Sequence, residues 1–359
     1  MSNKPLVVFS PNWSKNNPYQ NMLAESLAAT YKVVMEDLPN GLFPFSSLYK
    51  IQPNMKILHL HWLTELVHRV SWSKSSSVFY LKLSLLCIDL IRLKKRGVTI
   101  VWTIHNKVSH QKLNMERELL VRRMFCKLAD KVIVHSEEAR TFISDFYNYP
   151  LNNKGHVIFH GNYQNAYPLP SDKKNELRLK CNFAEQETIL LYFGSIRPYK
   201  GVDTLISSFR SIAKNENLRL VLAGNVIDDN YKHELLSAIN NDAKIHAHFN
   251  FIPEAELIDL IELADLVVIP FADTLTSGST ILAMTQGKAL ILPERAKIFG
   301  CVPNEGVRYF VDPLELTQLL AMAPSLPFLQ MGAINKSTAE NMSWEKVGKL
   351  TGSCYAESR

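Results

Sequence analysis

The sequence predicts an α/β fold made of two Rossmann-like domains, each a parallel sheet with helices on both faces. Short β-branched and apolar runs alternate with helical segments, as in parallel sheets that are buried on both faces. These runs fall into two series, separated by a segment rich in Pro, Asn, Lys and Ser. A chain of 359 residues also exceeds what one hydrophobic core usually serves, so two domains are expected.

The strands of the two series can be read directly from the sequence. The first series comprises LVVFS, KVVMED, KILHLHW, TIVWTIHN, KVIVHS and HVIFHG. The second comprises TILLYFGS, LRLVLAG, IHAHFNF, LVVIPF, KALILP and VRYFV. The segment between them, near residues 162–183, shows little periodicity and is interpreted as a linker. Because ligands of doubly wound domains bind outside the carboxyl ends of the strands, site residues are expected in the loops that follow these runs.

Composition and charge exclude several classes of protein. Apolar residues make up 47% and charged residues 21% of the chain, which argues against disorder. The net charge of +6 suits phosphorylated ligands or an anionic membrane surface as easily as nucleic acid, so the charge alone does not decide between them. Lysines and arginines are dispersed and no nucleic-acid-binding module is recognised, so nucleic acid is not expected as a partner. The five cysteines lack CxxC or CxxH spacing, so neither a zinc site nor a disulfide framework is expected, and a reducing cytoplasm is the simplest location.

One segment is relevant to membranes. No stretch of ~18 uncharged apolar residues predicts a transmembrane helix. Ser76 to Gly97 comes nearest, but Lys82 and Asp89 interrupt it and it ends in four cations. Two interpretations remain open: a helix that packs on a sheet, or a helix that dips into a bilayer interface with its basic residues at the headgroups.

Glycines and polar residues follow the strands of the second series. The candidates are Gly194, Arg197 and Lys200 after its first strand, Asn225 after its second, and Thr276, Ser277, Gly278 and Ser279 at the entrance to the helix after its fourth. A helix N-terminus attracts anions, and adjacent cations strengthen that preference. Together these residues predict a diphosphate cradle. The alternative is that Thr276 or Ser277 only caps a helix and that Arg197 and Lys200 are solvated cations.

Two other nucleotide-binding classes lack their motifs. No GxGxxG follows the first strand, and no GxxxxGK[ST] occurs in the chain. A dinucleotide oxidoreductase and a P-loop NTPase are therefore not favoured.

Several segments resemble one enzyme family. FGSIRPYKGVDTLI, ELIDLIELADLVVIPF, ILAMTQGKALILP and NMSWEKVGKL resemble the C-terminal half of GT-B glycosyltransferases, specifically family-4-like enzymes that use nucleotide sugars. HLHW, WTIHNKVSH, ADKVIVHSEEAR and HGNY resemble their N-terminal half. The resemblance implies two facing domains. Residues 1–165, with a crossing helix at about 344–359, would bind the acceptor, and residues 166–343 would bind the nucleotide sugar. It further implies that the loop with Glu254 borders the nucleotide base; the alternative is that Glu254 only complements the dipole of the helix that it starts.

The sequence departs from the family at two places. Ser195 follows Gly194 where an arginine is typical, and the arginine comes two positions later, at Arg197. The glutamates of the E-x7-E motif would fall on Thr274 and Leu282. The T-S-G-S pattern instead resembles a divergent subset associated with bacterial exopolysaccharide and O-antigen assembly, including xanthan-type β-mannosyltransferases. Transfer with retention of the anomeric configuration is therefore in doubt, and transfer with inversion of that configuration is a real alternative.

An inverting transfer needs a general base within hydrogen-bond reach of the acceptor hydroxyl. The candidates are His105, His110 and Glu65, which follow predicted strands of the first series. His105 matches the family histidine that faces the donor sugar or its phosphate. The segment NWSKNNPYQNML replaces the glycine-rich acceptor loop of relatives, and its Asn17, Tyr19 and Gln20 could bind an acceptor sugar or only form a turn and a helix start.

The expected function is a glycosyltransferase that adds a hexose from a nucleoside-diphosphate sugar, preferably GDP-mannose, to a growing bacterial glycan. The acceptor is expected to be a glycan or a polyprenyl-diphosphate-linked saccharide, with the enzyme peripheral on the cytoplasmic face of the membrane. No cofactor is expected, and no metal, because the chain lacks a DxD-like acidic pair in the expected place. The alternatives are a UDP-sugar-dependent hexosyltransferase of the same fold and a non-catalytic nucleotide-sugar-binding scaffold subunit.

Overall fold

The computed structural model describes residues 4–15, 17–109, 113–171, 173–212 and 217–357. They form two compact units. The first unit contains residues up to 161, residues 298–300 and the chain from 342 onwards, and the second contains residues 162–297 and 301–341. Each unit is built on a six-stranded sheet in which every strand pairing is parallel, with helices between the strands. The predicted α/β class with two parallel sheets is confirmed.

The first unit alternates strands and helices from the N-terminus. Its strands are β1 (Leu6–Ser10), β2 (Lys32–Met35), β3 (Met55–Leu60), β4 (Thr99–Thr103), β5 (Lys131–Val134) and β6 (Gly155–Val157). Its helices are α1 (Tyr19–Leu27), α2 (Pro44–Ile51), α3 (Thr64–Ser71), α4 (Ser76–Lys95), α5 (Met115–Leu128) and α6 (Glu137–Phe146). The strand order is β2-β1-β3-β4-β5-β6. The order therefore reverses between β1 and β3, which makes that pair the topological switch point of the sheet.

The second unit repeats the pattern. Its strands are β7 (Thr188–Phe193), β8 (Leu218–Ala223), β9 (Ile245–His248), β10 (Leu266–Val268), β11 (Ala289–Pro293) and β12 (Val307–Phe310). Its helices are α7 (Lys174–Lys180), α8 (Val202–Ser211), α9 (Asp229–Ile239), α10 (Glu254–Leu263), α11 (Gly278–Thr285), α12 (Pro313–Met322) and α13 (Phe328–Asn341). The strand order is β12-β11-β10-β7-β8-β9, so its switch point lies between β7 and β10. Part of the expected linker is helical, because α7 lies within it.

A last helix, α14 (Trp344–Ala356), belongs to the first unit and packs on α1. The two helices approach closely because α14 carries a glycine at the contact: a Cβ at Gly348 would lie 2.7 Å from the carbonyl oxygen of Ser26. The Tyr31 hydroxyl donates to the Gly352 carbonyl at 3.2 Å. Beyond the end of the helix, Glu357 forms an ion pair with Lys131 of β5 at 2.8 Å.

Helix α4 has both a buried and an exposed apolar side. It packs on α2, α3 and α5 through buried residues that include Phe79, Leu86 and Leu90. The buried carboxylate of Asp89 accepts hydrogen bonds from two backbone N–H groups of the first turn of α2. The other side exposes Val78, Tyr80, Leu81, Ile88 and Ile91. Among the described residues, no helix is long and apolar enough to cross a membrane.

Candidate functional site

Three loops of the second unit converge at the carboxyl ends of its strands. The backbone at Gly194, directly after β7, has φ +121°, which side-chain-bearing residues rarely adopt. A Cβ at that position would lie 2.8 Å from the Ser279 hydroxyl of α11. A Cβ at Gly224, after β8, would collide with the Gly194 carbonyl. Gly194, Gly224 and the start of α11, which are far apart in the sequence, are therefore in direct contact.

The loop after β7 is also fastened to its neighbours by backbone hydrogen bonds. The Ile196 N–H donates to the Asn225 carbonyl at 3.0 Å, which joins the loops after β7 and β8. The Ala272 N–H donates to the Tyr199 carbonyl at 2.8 Å, which joins the loops after β7 and β10. These last two loops flank the switch point of the sheet, so both predicted cations lie in the crevice where such sheets bind ligands.

The two cations differ in environment. Arg197 is exposed, whereas Lys200 is partly buried in the 3₁₀ turn Pro198–Lys200. Burial, assisted by the nearby Arg197 charge, lowers the pKa of Lys200 to about 8. The Lys200 ammonium lies 5.4 Å from the centre of the Tyr199 ring. A cation held with little solvation gains more from a bound anion than an exposed one does, because it gives up less water.

The start of α11 supplies free N–H groups. Ser277 is its N-cap, and the Ser277 hydroxyl accepts a hydrogen bond from the Thr280 N–H at 3.2 Å. Ser277 is buried, while Thr276, Gly278 and Ser279 keep partial exposure. A Cβ at Gly278 would lie 2.9 Å from the hydroxyl of the buried Tyr163. The predicted capping role of Ser277 and the predicted anion seat are thus compatible, because the cap uses one N–H and leaves others at the helix end.

The remaining candidates of this unit lie around these loops. Asn225 is exposed, and its carbonyl holds the loop after β7. Glu254 is the exposed first residue of α10. At the two positions of the missing E-x7-E motif, the Thr274 hydroxyl donates to the Thr276 carbonyl and Leu282 is buried in α11.

The first unit carries a cluster of five buried histidines at the carboxyl ends of four neighbouring strands. They are His59, His61, His105, His135 and His160. The ring of the buried Tyr19 contacts four of them and the indoles of Trp62 and Trp344, so it forms the centre of the cluster. In the described part of the chain, no group of three or more His, Cys, Asp or Glu side chains is arranged to hold a metal ion.

Three of these histidines form a chain of contacts with one consistent arrangement of protons. His135 Nδ1 lies 2.9 Å from the Ile158 carbonyl, which can only accept, so Nδ1 carries the proton. His135 Nε2 then accepts from His105 Nδ1 at 3.4 Å, and His105 Nε2 accepts from His61 Nδ1 at 3.2 Å. The chain ends at His61 Nε2, a buried nitrogen with no hydrogen-bond partner among the described residues. Both nitrogens of His105 are therefore engaged by other imidazoles.

Burial keeps these histidines neutral. Loss of hydration, with the nearby His105, lowers the pKa of His59 to about 3. Burial lowers the pKa of His135 to about 4, although its bond to the Ile158 carbonyl opposes the shift. Burial and the neighbouring imidazoles hold the pKa of His61 and that of His105 well below the usual range.

The loop that carries His105 is fixed from behind by α5. The buried Glu118 carboxylate accepts from both the N–H and the hydroxyl of Ser109 at 2.6 Å. Its partner Arg122, with an ion pair at 2.8 Å, donates to the Asn106 carbonyl at 3.1 Å. The surrounding arginine and hydroxyl groups lower the pKa of Glu118 despite its burial. The loop that follows His105 is therefore held by a buried ion pair that the sequence pattern did not reveal.

Three other sequence candidates of this unit, Glu65, Gln20 and Asn17, are described and are not part of the cluster. Glu65 is exposed in the first turn of α3 and forms an ion pair with Arg69 at 3.6 Å. His110 lies outside the described residues. Gln20 is buried, with its amide bonded to the Trp13 N–H and the Pro11 carbonyl, and the Asn17 side chain accepts from the Tyr19 N–H. Sequence reasoning did not single out His135, although the motif KVIVHS contains it at the end of a strand.

Comparisons with known proteins agree with this architecture. Residues 173–309 match the family described as Glycosyl transferases group 1. The chain is 24% identical to the GDP-mannose:glycolipid 4-beta-D-mannosyltransferase of Xanthomonas campestris pv. campestris, over 98% of this chain and 92% of that protein.

Solved structures resemble the whole chain. Sucrose-phosphate synthase from Thermosynechococcus elongatus superposes with a TM-score of 0.75 at 17% identity and covers 98% of both chains. Anabaena HepE in complex with UDP and glucose superposes with a TM-score of 0.74 at 12% identity, over 97% of this chain and 98% of that one. Identities this low speak for the fold alone. With the match over residues 173–309 and the full-length relative, they lead to one conclusion: the protein is a glycosyltransferase with the GT-B fold.

Proposed function

We propose that the protein transfers a hexose from a nucleoside-diphosphate sugar, with GDP-mannose as the preferred donor, to a lipid-linked saccharide. The observation that carries the proposal is the convergence of Gly194, Ser279 and the Lys200 turn at the switch point of the second unit. The choice of guanine and mannose rests on the full-length likeness to a GDP-mannose-dependent mannosyltransferase.

The convergent loops suit the leaving group of such a transfer. The acceptor oxygen forms a bond to the anomeric carbon as the bond from that carbon to the diphosphate oxygen breaks, and the acceptor proton passes to a base. The nucleoside diphosphate leaves with its electron pair. Lys200, Arg197 and the N–H groups of α11 would stabilise that charge, as an oxyanion hole does. Neither Thr274 nor Leu282 offers a carboxylate to the donor sugar, which favours an inverting course over the family's retaining one.

The base is assigned among His105, His110 and Glu65. Since His105 Nδ1 already carries a proton and His105 Nε2 accepts from His61, His105 accepts a proton only if its contact with His61 opens. The pH dependence of kcat separates the candidates. His105→Asn should abolish the acidic limb of the profile if His105 is the base, whereas Glu65→Gln should leave the limb in place. A profile unchanged in both variants leaves His110 as the remaining candidate of the three.

The exposed side of α4 is proposed as a contact with the membrane. Its apolar residues Leu81 and Ile88 lie on a helix that ends in Arg92 and Lys95, so apolar and cationic groups are adjacent. Such a surface binds an anionic membrane interface in two ways: its apolar side chains are buried in the interface, and its cations are attracted to the anionic headgroups. Sedimentation with phosphatidylglycerol-containing vesicles should deplete the protein, and Leu81→Glu with Ile88→Glu should restore it to the supernatant. An unsedimented wild-type protein would refute the membrane contact and leave the transfer reaction intact.

Thermal stabilisation by GDP, UDP, ADP and their sugar conjugates tests the donor. A nucleotide that binds only the folded protein raises its apparent stability by mass action. A selective shift with GDP and GDP-mannose supports the proposal, and a selective shift with UDP compounds would replace the donor.

Lys200→Ala and Arg197→Ala should each lower turnover by ~10²-fold or more. Arg210→Ala, at the far end of α8, is the matched control and should keep wild-type turnover. If the Lys200 and Arg197 variants fold and turn over at the wild-type rate, these two cations do not bind the diphosphate.

A further inference from the structure

The switch point of the first unit carries two partly exposed tryptophans. Its flanking loops follow β1 and β3 and contain Trp13 and Trp62. Their ring centres lie 5.9 Å apart with an interplanar angle of 52°, and both side chains are partly exposed. At the switch point of the second unit, Arg197 and Lys200 both lie in one flanking loop, the loop after β7. The two switch points therefore offer different chemistry at equivalent positions of the sheet, where ligands of open α/β sheets bind.

Trp62 is held in place by the histidine cluster. Its indole stacks on His105 with ring centres 4.1 Å apart and an angle of 13°. The Tyr19 ring meets the Trp62 indole edge-on at 6.0 Å. Because His105 is itself bonded at both nitrogens, the orientation of Trp62 is determined before any ligand arrives, and little conformational entropy is lost on binding.

Trp13 is fixed through its backbone. The Trp13 N–H donates to the buried Gln20 side chain at 2.7 Å, and the Trp13 carbonyl accepts from the Asn17 N–H at 3.0 Å. Gln20 and Asn17, which the sequence offered as direct ligands of an acceptor sugar, thus serve to hold the loop. The indole of Trp13 keeps its partial exposure.

We propose that Trp13 and Trp62, the tryptophan platform, bind the terminal uncharged hexose ring of the saccharide acceptor. This inference rests on the proposed function, since it names the acceptor subsite of the same reaction. A rigid indole provides a large apolar surface at low entropic cost, which matches the C–H face of a pyranose. In the loop that carries Trp13, the Ser14 hydroxyl donates to the Asn12 side chain at 2.7 Å, and the Asn12 amide N–H groups are left to meet the hydroxyls of the sugar. Trp62 stacks on a neutral imidazole, so the two ring faces suit an uncharged hexose. Exposed Lys15 is the one charged residue of the two loops, and the comparison with an anionic sugar tests whether it attracts a phosphate instead.

Binding of methyl α-D-mannopyranoside, methyl β-D-glucopyranoside and cellobiose to the full chain tests the platform, with glucose 6-phosphate as the anionic counterpart. Saturation-transfer NMR, with each ligand titrated to about 50 mM, gives the dissociation constant even when binding is weak. At least one neutral saccharide should bind. Trp13→Leu and Trp62→Leu should each weaken it by about tenfold or more, in line with aromatic stacking on other ring ligands. Trp62→Phe, which keeps an aromatic ring on His105, should lose less.

Trp72→Leu is the matched control, because Trp72 is also an exposed indole of the first unit stacked on a histidine, His68 at 3.8 Å, but lies at the end of α3. It should bind saccharides as the wild type does. The platform is refuted if no neutral saccharide binds, if Trp13→Leu behaves like Trp72→Leu, or if glucose 6-phosphate binds more tightly than the neutral sugars. Nucleotide shifts measured on the same samples separate the two proposals. Nucleotide binding without saccharide binding refutes the platform alone. Saccharide binding without nucleotide binding refutes the proposed diphosphate site alone.

Discussion

At the scale of single residues, the protonation of Lys200 provides a test of the proposed diphosphate site. Its pKa of about 8 in the free protein means that an appreciable fraction is neutral above pH 8. A bound diphosphate favours the charged form and raises that pKa. Binding at about pH 8.5 should therefore take up a proton, and nucleotide affinity should fall as the pH rises further. Calorimetry in buffers with different ionisation enthalpies counts the protons.

The control for this prediction is Lys200→Arg. An arginine stays protonated throughout this range, so the variant should bind nucleotide without proton uptake. Equal uptake in both proteins would assign the proton to another group and remove Lys200 from contact with the diphosphate.

Residue patterns in the sequence indicated the converging loops of the second unit better than they indicated the histidine cluster. Gly194, Lys200 and Ser277 could be found because glycines, cations and small hydroxyl residues directly after strands are typical of loops that bind phosphate. The engagement of His105 by two imidazoles could not be foreseen, because it depends on His61 and His135 arriving from adjacent strands. Trp13 and Trp62 were missed for the same reason: they come together only through the strand order β2-β1-β3.

At the scale of secondary-structure elements, α14 and α1 are joined by a contact that only glycine permits. In Gly348→Ala the new methyl group would lie 2.7 Å from a backbone oxygen of α1, so the helices must separate. We expect a loss of about 1–3 kcal/mol in the free energy of unfolding. In Gly352→Ala, one turn further along α14, the nearest atom lies 3.6 Å away. This variant should gain up to about 1 kcal/mol from helix propensity. Urea unfolding measures both, and shifts of the same sign would contradict the contact.

Helix α5 provides a second test at this scale, through its buried Glu118–Arg122 pair. Glu118→Ala leaves the Arg122 charge buried and the Ser109 donors unpaired, so it should cost about 3–5 kcal/mol of unfolding free energy. The matched control is Glu65→Ala, which removes the exposed Glu65–Arg69 pair of the same i,i+4 spacing. Its effect should stay within about 0.5 kcal/mol. Comparable losses in urea unfolding would mean that the loop after β4 does not depend on α5.

Most elements could be predicted because their patterns are local. The strand runs of both series correspond to strands, since near-continuous apolar residues are needed wherever helices cover both faces of a sheet. Helix α4 was ambiguous because its apolar residues surround the helix. The structure divides them between a buried side around Leu90 and an exposed side around Leu81. Only tertiary packing makes that division, so periodicity alone could not.

At the scale of the whole molecule, the two units differ in their content of buried titratable groups. Five histidines are buried in the first unit, whereas His246, the second-unit histidine whose pKa is lowered, is only partly buried. All five tryptophans also belong to the first unit, at positions 13, 62, 72, 102 and 344. Tryptophan fluorescence therefore reports on the first unit alone, while far-UV circular dichroism reports on both.

These differences predict that mild acid unfolds the first unit before the second. An unfolded histidine binds a proton near pH 6.5, but the folded pKa is about 3 for His59 and about 4 for His135. As the pH falls below 6.5 the unfolded state therefore binds more protons, and the free energy of unfolding drops by about 2 kcal/mol per buried histidine at pH 5. The fluorescence transition should occur between about pH 6 and 4.5, above the pH at which the circular dichroism signal is fully lost. Urea unfolding near neutral pH is the reference. It shows how far the fluorescence and circular dichroism transitions are separated when the histidines are not protonated. If acid adds no separation to that reference, the buried histidines do not determine the stability of the first unit.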